Sequence, residues 1–186
     1  GGMVRKKNIM NTIALPFAAL ALVSLAWSLV AHGWIAWNGA ESATSVHDSL
    51  LSMYRGLMAS VALALVAGGI VERVRFSFFL VFGLGWVASV FLPLAQSLWG
   101  GGWLVNLGAL DFAGGAVIHI SAGVSALVMA ILIGPRHGYG RIDMMPNHLP
   151  LSFCGAAFMW VGWFGFTGAA AAESMAVVTS AFVTIQ

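Results

Sequence analysis

In a chain this apolar, few residues could do chemistry, and three of them stand close together in the sequence. Asp111 and His119 are eight positions apart in Asp111-Phe112-Ala113-Gly114-Gly115-Ala116-Val117-Ile118-His119, and Trp99 lies upstream, followed by Gly100, Gly101 and Gly102. Asp111 stands where a helix N-cap belongs: its carboxylate can accept from the first free backbone N–H groups and meets the positive end of the helix dipole. On a continuous helix of ~1.5 Å per residue, His119 lies about 12 Å further on, near the midplane of a bilayer core about 30 Å thick. Polar groups at that depth are costly and point to a solute or proton pathway.

Each of these residues also has a plainer reading. Asp111 either caps the helix and nothing more, or caps it and shapes the local field for a cation. His119 is either a buried imidazole bonded to a neighbouring helix or a pathway residue; Gly114, Gly115, Ser121, Ala122, Gly123 and Ser125 suit its helix to close approach by others. Trp99 is either a membrane-interface tryptophan or a ring offering its face to a small cation. In Trp160-Val161-Gly162-Trp163-Phe164-Gly165-Phe166-Thr167-Gly168, rings alternate with glycines, which serves lipid-facing packing or a ring gating a narrow passage.

The composition dictates what must position these residues. Of 186 residues, 60% are hydrophobic, 12% aromatic and 8% charged, against roughly 25% charged in soluble domains. With a mean hydropathy of +0.94, the chain reads as an all-α integral membrane protein, a multi-span helical bundle. Five apolar runs of spanning length cover about 9–34, 50–71, 77–98, 112–134 and 149–171, and a partial sixth covers 175–186. The connections are too short for a separate domain, so residues 1–186 read as one transmembrane unit whose last run stops mid-protein. Strand-type alternation is absent, which argues against a barrel.

Arg5, Lys6, Lys7, Arg73, Arg75, Arg136 and Arg141 fall on one side of these spans, and only Arg55 belongs to the other. The positive-inside rule places the basic side in the cytoplasm of a multi-pass protein of the cell (inner) membrane. A signal-peptide reading of the first run fails because its apolar part is too long and lacks a small-residue cleavage pattern. Nucleic-acid binding does not fit, since the net charge is only +2 and no basic cluster carries stacking aromatics. Cys154 is the single cysteine, so neither an intrachain disulfide nor a cysteine zinc site can form. No nucleophile–base constellation suggests an enzyme, and no cofactor is expected. Haem ligation by His32 and His119 would need facing helices, which the sequence does not suggest.

The runs Trp99-Gly100-Gly101-Gly102 and Gly108-Ala109-Leu110-Asp111-Phe112-Ala113-Gly114-Gly115-Ala116-Val117-Ile118-His119 closely resemble the signature of the ammonium transporter (Amt/Rh) family. The likeness extends to Glu72-Arg73-Val74-Arg75-Phe76-Ser77, Leu149-Pro150 and Gly162-Trp163-Phe164-Gly165-Phe166, and so covers essentially the whole chain. It implies helices two to six and the start of helix seven of an eleven-helix fold with inverted repeats. By residue, it implies that Trp99 and Asp111 form and support an outer cation-recruiting site, that His119 is the first of two pore histidines, and that Phe166 lines the pore. The second histidine would lie beyond Gln186. The implied activity is ammonium or ammonia transport: recruitment of the cation, deprotonation, and passage of ammonia through a narrow apolar pore. The implied partners are ammonium or ammonia, the lipid bilayer, a homotrimer and a cytoplasmic P-II-type regulatory protein. The alternative is an ammonium sensor domain that signals to a fused output domain.

Some positions depart from the family pattern. Met58 stands where many members place a gating phenylalanine, with Tyr54 one turn earlier and Arg55 beside it. Met58 and Tyr54 are accordingly assigned to the substrate path. Ala170 replaces an expected hydroxyl, and Asn147-His148 reverses the order usual before Leu149-Pro150. Losing a ring and a hydroxyl should weaken cation capture, although methionine can still occlude.

Overall fold

The computed structural model describes residues 1–37, 46–170 and 175–184, and among them all regular structure is helical. After a short 3-10 turn at Lys6–Asn8 come α1 (Ile9–Trp37), α2 (Val46–Ile70), α3 (Phe76–Trp86), α4 (Leu92–Trp99), α5 (Trp103–Asn106), α6 (Ser121–Ile133), α7 (Leu149–Ala170) and α8 (Met175–Thr184). A π-helical stretch, Val87–Phe91, joins α3 to α4, and a second, Gly115–Ile120, leads into α6. Five segments are long and apolar enough to cross a membrane: Lys6–Leu29, Ser49–Ile70, Phe76–Asn106, Gly115–Ile133 and Leu149–Ala170.

Two expected spans are not uninterrupted α-helices. The run read as 77–98 widens into a π turn at Val87–Phe91, just before Pro93. Proline has no N–H and its ring crowds the carbonyl four residues back, here Ser89, so a wider turn relieves both. The run read as beginning at 112 starts its helix only at Gly115, because Gly114 takes a left-handed backbone conformation at φ 81°. A Cβ there would also lie 2.4 Å from the Ile118 side chain. Glycine is therefore required at Gly114 on two counts.

The core forms around α2. Leu15, Ala19, Val23 and Trp27 repeat every four residues along α1 and are buried, a ridge of the kind that packs into a neighbouring helix groove. Ala59, Ala62, Leu63, Val66, Ala67 and Ile70 of α2 join that core, with Phe79 and Phe91 from the third span and Val117, Ile118 and Ala122 from the fourth. Gly69 brings α2 against α6 so closely that a Cβ would sit 2.5 Å from the Ala126 Cβ, the small-residue contact that membrane helices use for lack of a hydrophobic drive. Two indoles cross-link helices with their N–H groups satisfied: Trp27 Nε1 donates to Ser52 Oγ at 3.2 Å and Trp86 Nε1 to Ser125 Oγ at 2.8 Å. By contrast, α7 has no buried residue.

At the basic end, one carboxylate gathers three chain segments. Glu72, whose side chain is fully buried, accepts from Arg5 N (3.0 Å), Arg5 Nε (3.2 Å), Asn8 Nδ2 (2.7 Å) and Arg136 Nη1 (3.2 Å). It adopts φ 63°, uncommon for a residue with a Cβ, and these bonds hold it there. Arg73 ties the end of α2 to that of α6 by donating to Gly134 O at 2.9 Å. The N-terminal segment also reaches α7, since Asn147 N–H donates to Val4 O (3.1 Å) and His148 N–H to Gly2 O (3.0 Å). The reversed Asn147-His148 pair puts an imidazole at the start of α7, where Nδ1 accepts from Leu151 N–H at 3.0 Å, a bond open only to the unprotonated nitrogen.

Burial pushes the Glu72 carboxyl upward, but hydrogen bonds from Asn8, Arg5 and Arg136 outweigh it and hold the group at about 2, below the usual 4.5. A depressed carboxyl contributes stability that is complete above its unfolded value near 4.5 and is lost as pH falls towards about 2. Replacing Glu72 with Gln should therefore destabilise the protein in detergent by about 3 kcal/mol at pH 7, because Arg5 and Arg136 lose their counter-charge. In unfolding measurements the gap between Glu72→Gln and wild type should shrink as pH is lowered from about 4.5 to 2.

Candidate functional site

The site is built from the far end of α2, the loop after α4, the π turn before α6, and α7. Asp111 organises it. Its Oδ1 accepts from Gly115 N–H at 2.7 Å, and its Oδ2 from Ala116 and Val117 N–H, both at 2.9 Å. Three of the amides that a helix start leaves unpaired are thus satisfied by one side chain. The expected capping occurs, but from four residues before the helix rather than from the N-cap position, which Gly114 holds. The Asp111 main chain serves too: Trp99 Nε1 donates to its carbonyl at 2.7 Å. That bond and an edge contact with Phe91, ring centroids 6.3 Å apart, fix the Trp99 indole.

His119 falls in the π turn. The Gly114 carbonyl accepts from both Ile118 N–H (2.9 Å) and His119 N–H (3.1 Å). Because the helix begins at Gly115, His119 lies four residues beyond its first residue, whereas an unbroken helix from Asp111 would put it eight residues along. Its imidazole is exposed on the surface of the chain and lies against the Trp163 ring, centroids 5.2 Å apart and planes inclined at 54°.

From His119 a row of rings crosses α7 and ends on α2. Trp163 contacts Phe166 at 5.2 Å between centroids, and Phe166 contacts Tyr54 at 5.9 Å. The Tyr54 hydroxyl donates to the Phe166 carbonyl at 3.0 Å. With the N-terminal contacts at the basic end, this row joins α7, otherwise hardly buried, to the rest of the chain.

The structure thus brings Trp99 and Asp111 together, and His119, Phe166 and Tyr54 together. Met58 is only 2% exposed and belongs to the core around α2, against which Tyr54, Trp99 and Phe166 pack. An apolar cleft of about 250 Å³ beside Trp27 and Val87 has none of the candidate residues in its lining. The side chain of His32 lies outside the described residues. Among the described residues, no cluster of His, Cys, Asp and Glu could hold a metal ion.

Two contributors to the site, and the residue that organises the opposite end, were not singled out by pattern. Trp163 was read only as one ring of a packed run, although its position three residues before Phe166 puts both on one helix face. Arg55 donates through Nη2 to the Trp99 carbonyl at 3.4 Å; its sequence signal was being the single basic residue on its side of the spans. Glu72 could have been singled out by charge, since a basic end with so many cations needs a counter-ion.

Comparison with known proteins agrees with this architecture. The profile of the Ammonium Transporter Family matches residues 1–186. The chain is 40% identical over 193 residues to ammonium transporter Amt1 of Archaeoglobus fulgidus, covering 98% of this chain and 49% of that protein. It is 37% identical over 202 residues to an ammonium transporter of Bacillus subtilis, covering 98% and 50%, and 38% identical over 190 residues to one from Aquifex aeolicus, covering 92% and 44%. The chain therefore spans about half the length of these relatives. With helices of spanning length and a family profile matched from end to end, the chain belongs to the ammonium transporter family, a family of multi-pass membrane transporters rather than enzymes.

Proposed function

We propose that the protein conducts ammonium or ammonia across a membrane, along a route running from the Trp99–Asp111 corner past Phe166 to His119. The observation that carries this reading is the row Tyr54–Phe166–Trp163–His119, which sets an imidazole at the end of an aromatic wall, in a helix that Asp111 starts. Family membership and the printed names of the relatives support ammonium as the substrate.

In this mechanism the ammonium ion gives up water reluctantly, and the face of the Trp99 indole replaces part of that hydration through a cation–π contact. Asp111 acts chiefly by posture. Its carboxylate oxygens already accept from three amides, so it holds the turn and the indole in place. Beyond this corner, rings and aliphatic side chains offer an ion too little to replace its full hydration, which favours release of a proton to water at the outer mouth and passage of neutral ammonia. Met58, one turn beyond Tyr54 and buried, closes the space beside the rings. At His119 the two ring nitrogens of the imidazole can pass a hydrogen bond or proton to the next site. In the same reading the basic end faces the cytoplasm.

Reconstitution of the intact natural protein in liposomes tests this mechanism. His119→Ala should cut the ammonium-driven current or internal pH change at least tenfold, and unchanged flux would remove His119 from the route. Trp99→Leu should raise the half-saturating ammonium concentration about threefold to fivefold and leave the maximal rate near that of wild type, the effect of losing about 1 kcal/mol of cation–π attraction. Asp111→Ala should lower thermal stability by about 2 kcal/mol through unpaired amides, and flux with it. Full flux and an unshifted melting point in that variant would contradict the assigned role.

A further inference from the structure

The Trp99 corner also carries a cation that the proposed route does not use. Arg55 follows Tyr54 on α2, is half-buried, and donates through Nη2 to the Trp99 carbonyl at 3.4 Å. A guanidinium stays charged at any ordinary pH. Among the described residues, no carboxylate is ion-paired with it. Asp111 spends both oxygens on the amides of Gly115, Ala116 and Val117, and both ion pairs among the described residues belong to Glu72 at the other end of the bundle. The one partner described for the guanidinium is a peptide carbonyl, a dipole that orients a charge without cancelling it.

A permanent positive charge therefore stands beside the residue whose ring would attract a positive guest. Two like charges within several ångströms, in a partly buried setting, repel strongly enough to change occupancy by an order of magnitude. Neutral ammonia experiences almost none of this. We propose that Arg55 is a specificity-determining residue that weakens capture of cations at the Trp99 corner and so tips the site towards ammonia and against ammonium and other small cations. This inference rests on the reading that Trp99 contacts the guest.

The opposing role would be purely positional, with Arg55 needed only to hold the Trp99 carbonyl, and the two differ in their dependence on charge. In liposomes holding the intact protein, Arg55→Gln should lower the half-saturating ammonium concentration about tenfold with the maximal rate unchanged, whereas Arg55→Lys should stay near wild type. For the unmodified protein, raising ionic strength from about 10 to 300 mM with an impermeant organic salt should lower half-saturation, because screening weakens repulsion. The same series should be flat in Arg55→Gln. A half-saturation in Arg55→Gln equal to or above that of wild type overturns the proposal, as does a wild-type value that is constant or rises with salt. Should Arg55→Gln fail to fold, the wild-type salt series decides alone. If Trp99→Leu leaves half-saturation unmoved, the outer-site reading itself has failed; if Trp99→Leu raises it while the charge tests are flat, only the role given to Arg55 has failed.

Discussion

The candidate site depends on how a helix can begin among apolar neighbours. The first N–H groups of any helix lack partners, and where water is scarce each unpaired group costs free energy comparable to a lost hydrogen bond. Asp111 meets that requirement for three amides at once and offers its carbonyl to the Trp99 indole. The left-handed turn at Gly114, the π turn after it and the placing of His119 follow from where that carboxylate lets the helix start. Arg55, by donating to the Trp99 carbonyl, makes α2 part of the same arrangement.

The opposite end solves a similar problem with the same economy. Glu72 serves four donors from two segments remote in sequence, and the residues beside it lock α2 to α6 and the N-terminal segment to the start of α7. In a chain with only 8% charged residues, two carboxylates thus organise the two ends of the bundle. The apolar length between them is held by small-residue contacts and by indoles with satisfied N–H groups, as at Gly69–Ala126 and Trp86–Ser125. Such contacts suit a medium in which hydrophobic burial between helices contributes little.

Function on this scaffold is a matter of electrostatics against desolvation. In the proposed route, the aromatic row from Tyr54 to His119 is the surface on which a small solute meets ring faces and then an imidazole, and among the described residues no carboxylate joins that row. The role proposed for the positive charge of Arg55 works in the same direction, against retention of a cation. Weak capture and easy release are what a conducting path needs, since a site that binds firmly does not pass its solute on.

The spans, their helical nature and the gathering of basic residues at one end were legible in the sequence, because bilayer thickness and the cost of charge act on composition alone. Trp99, Asp111, His119 and Phe166 could be picked out as candidates too, partly from the cost of polar groups at depth and partly from resemblance. What pattern could not supply was the local geometry: that the helix starts at Gly115 and brings His119 nearer its beginning, that Met58 turns into the core, that Trp163 backs the imidazole, and that Glu72 and Arg55 bridge distant segments. Run lengths and residue types are properties of a segment and its solvent. Which donor meets which acceptor depends on the packing of helices against one another, and that only the tertiary structure decides.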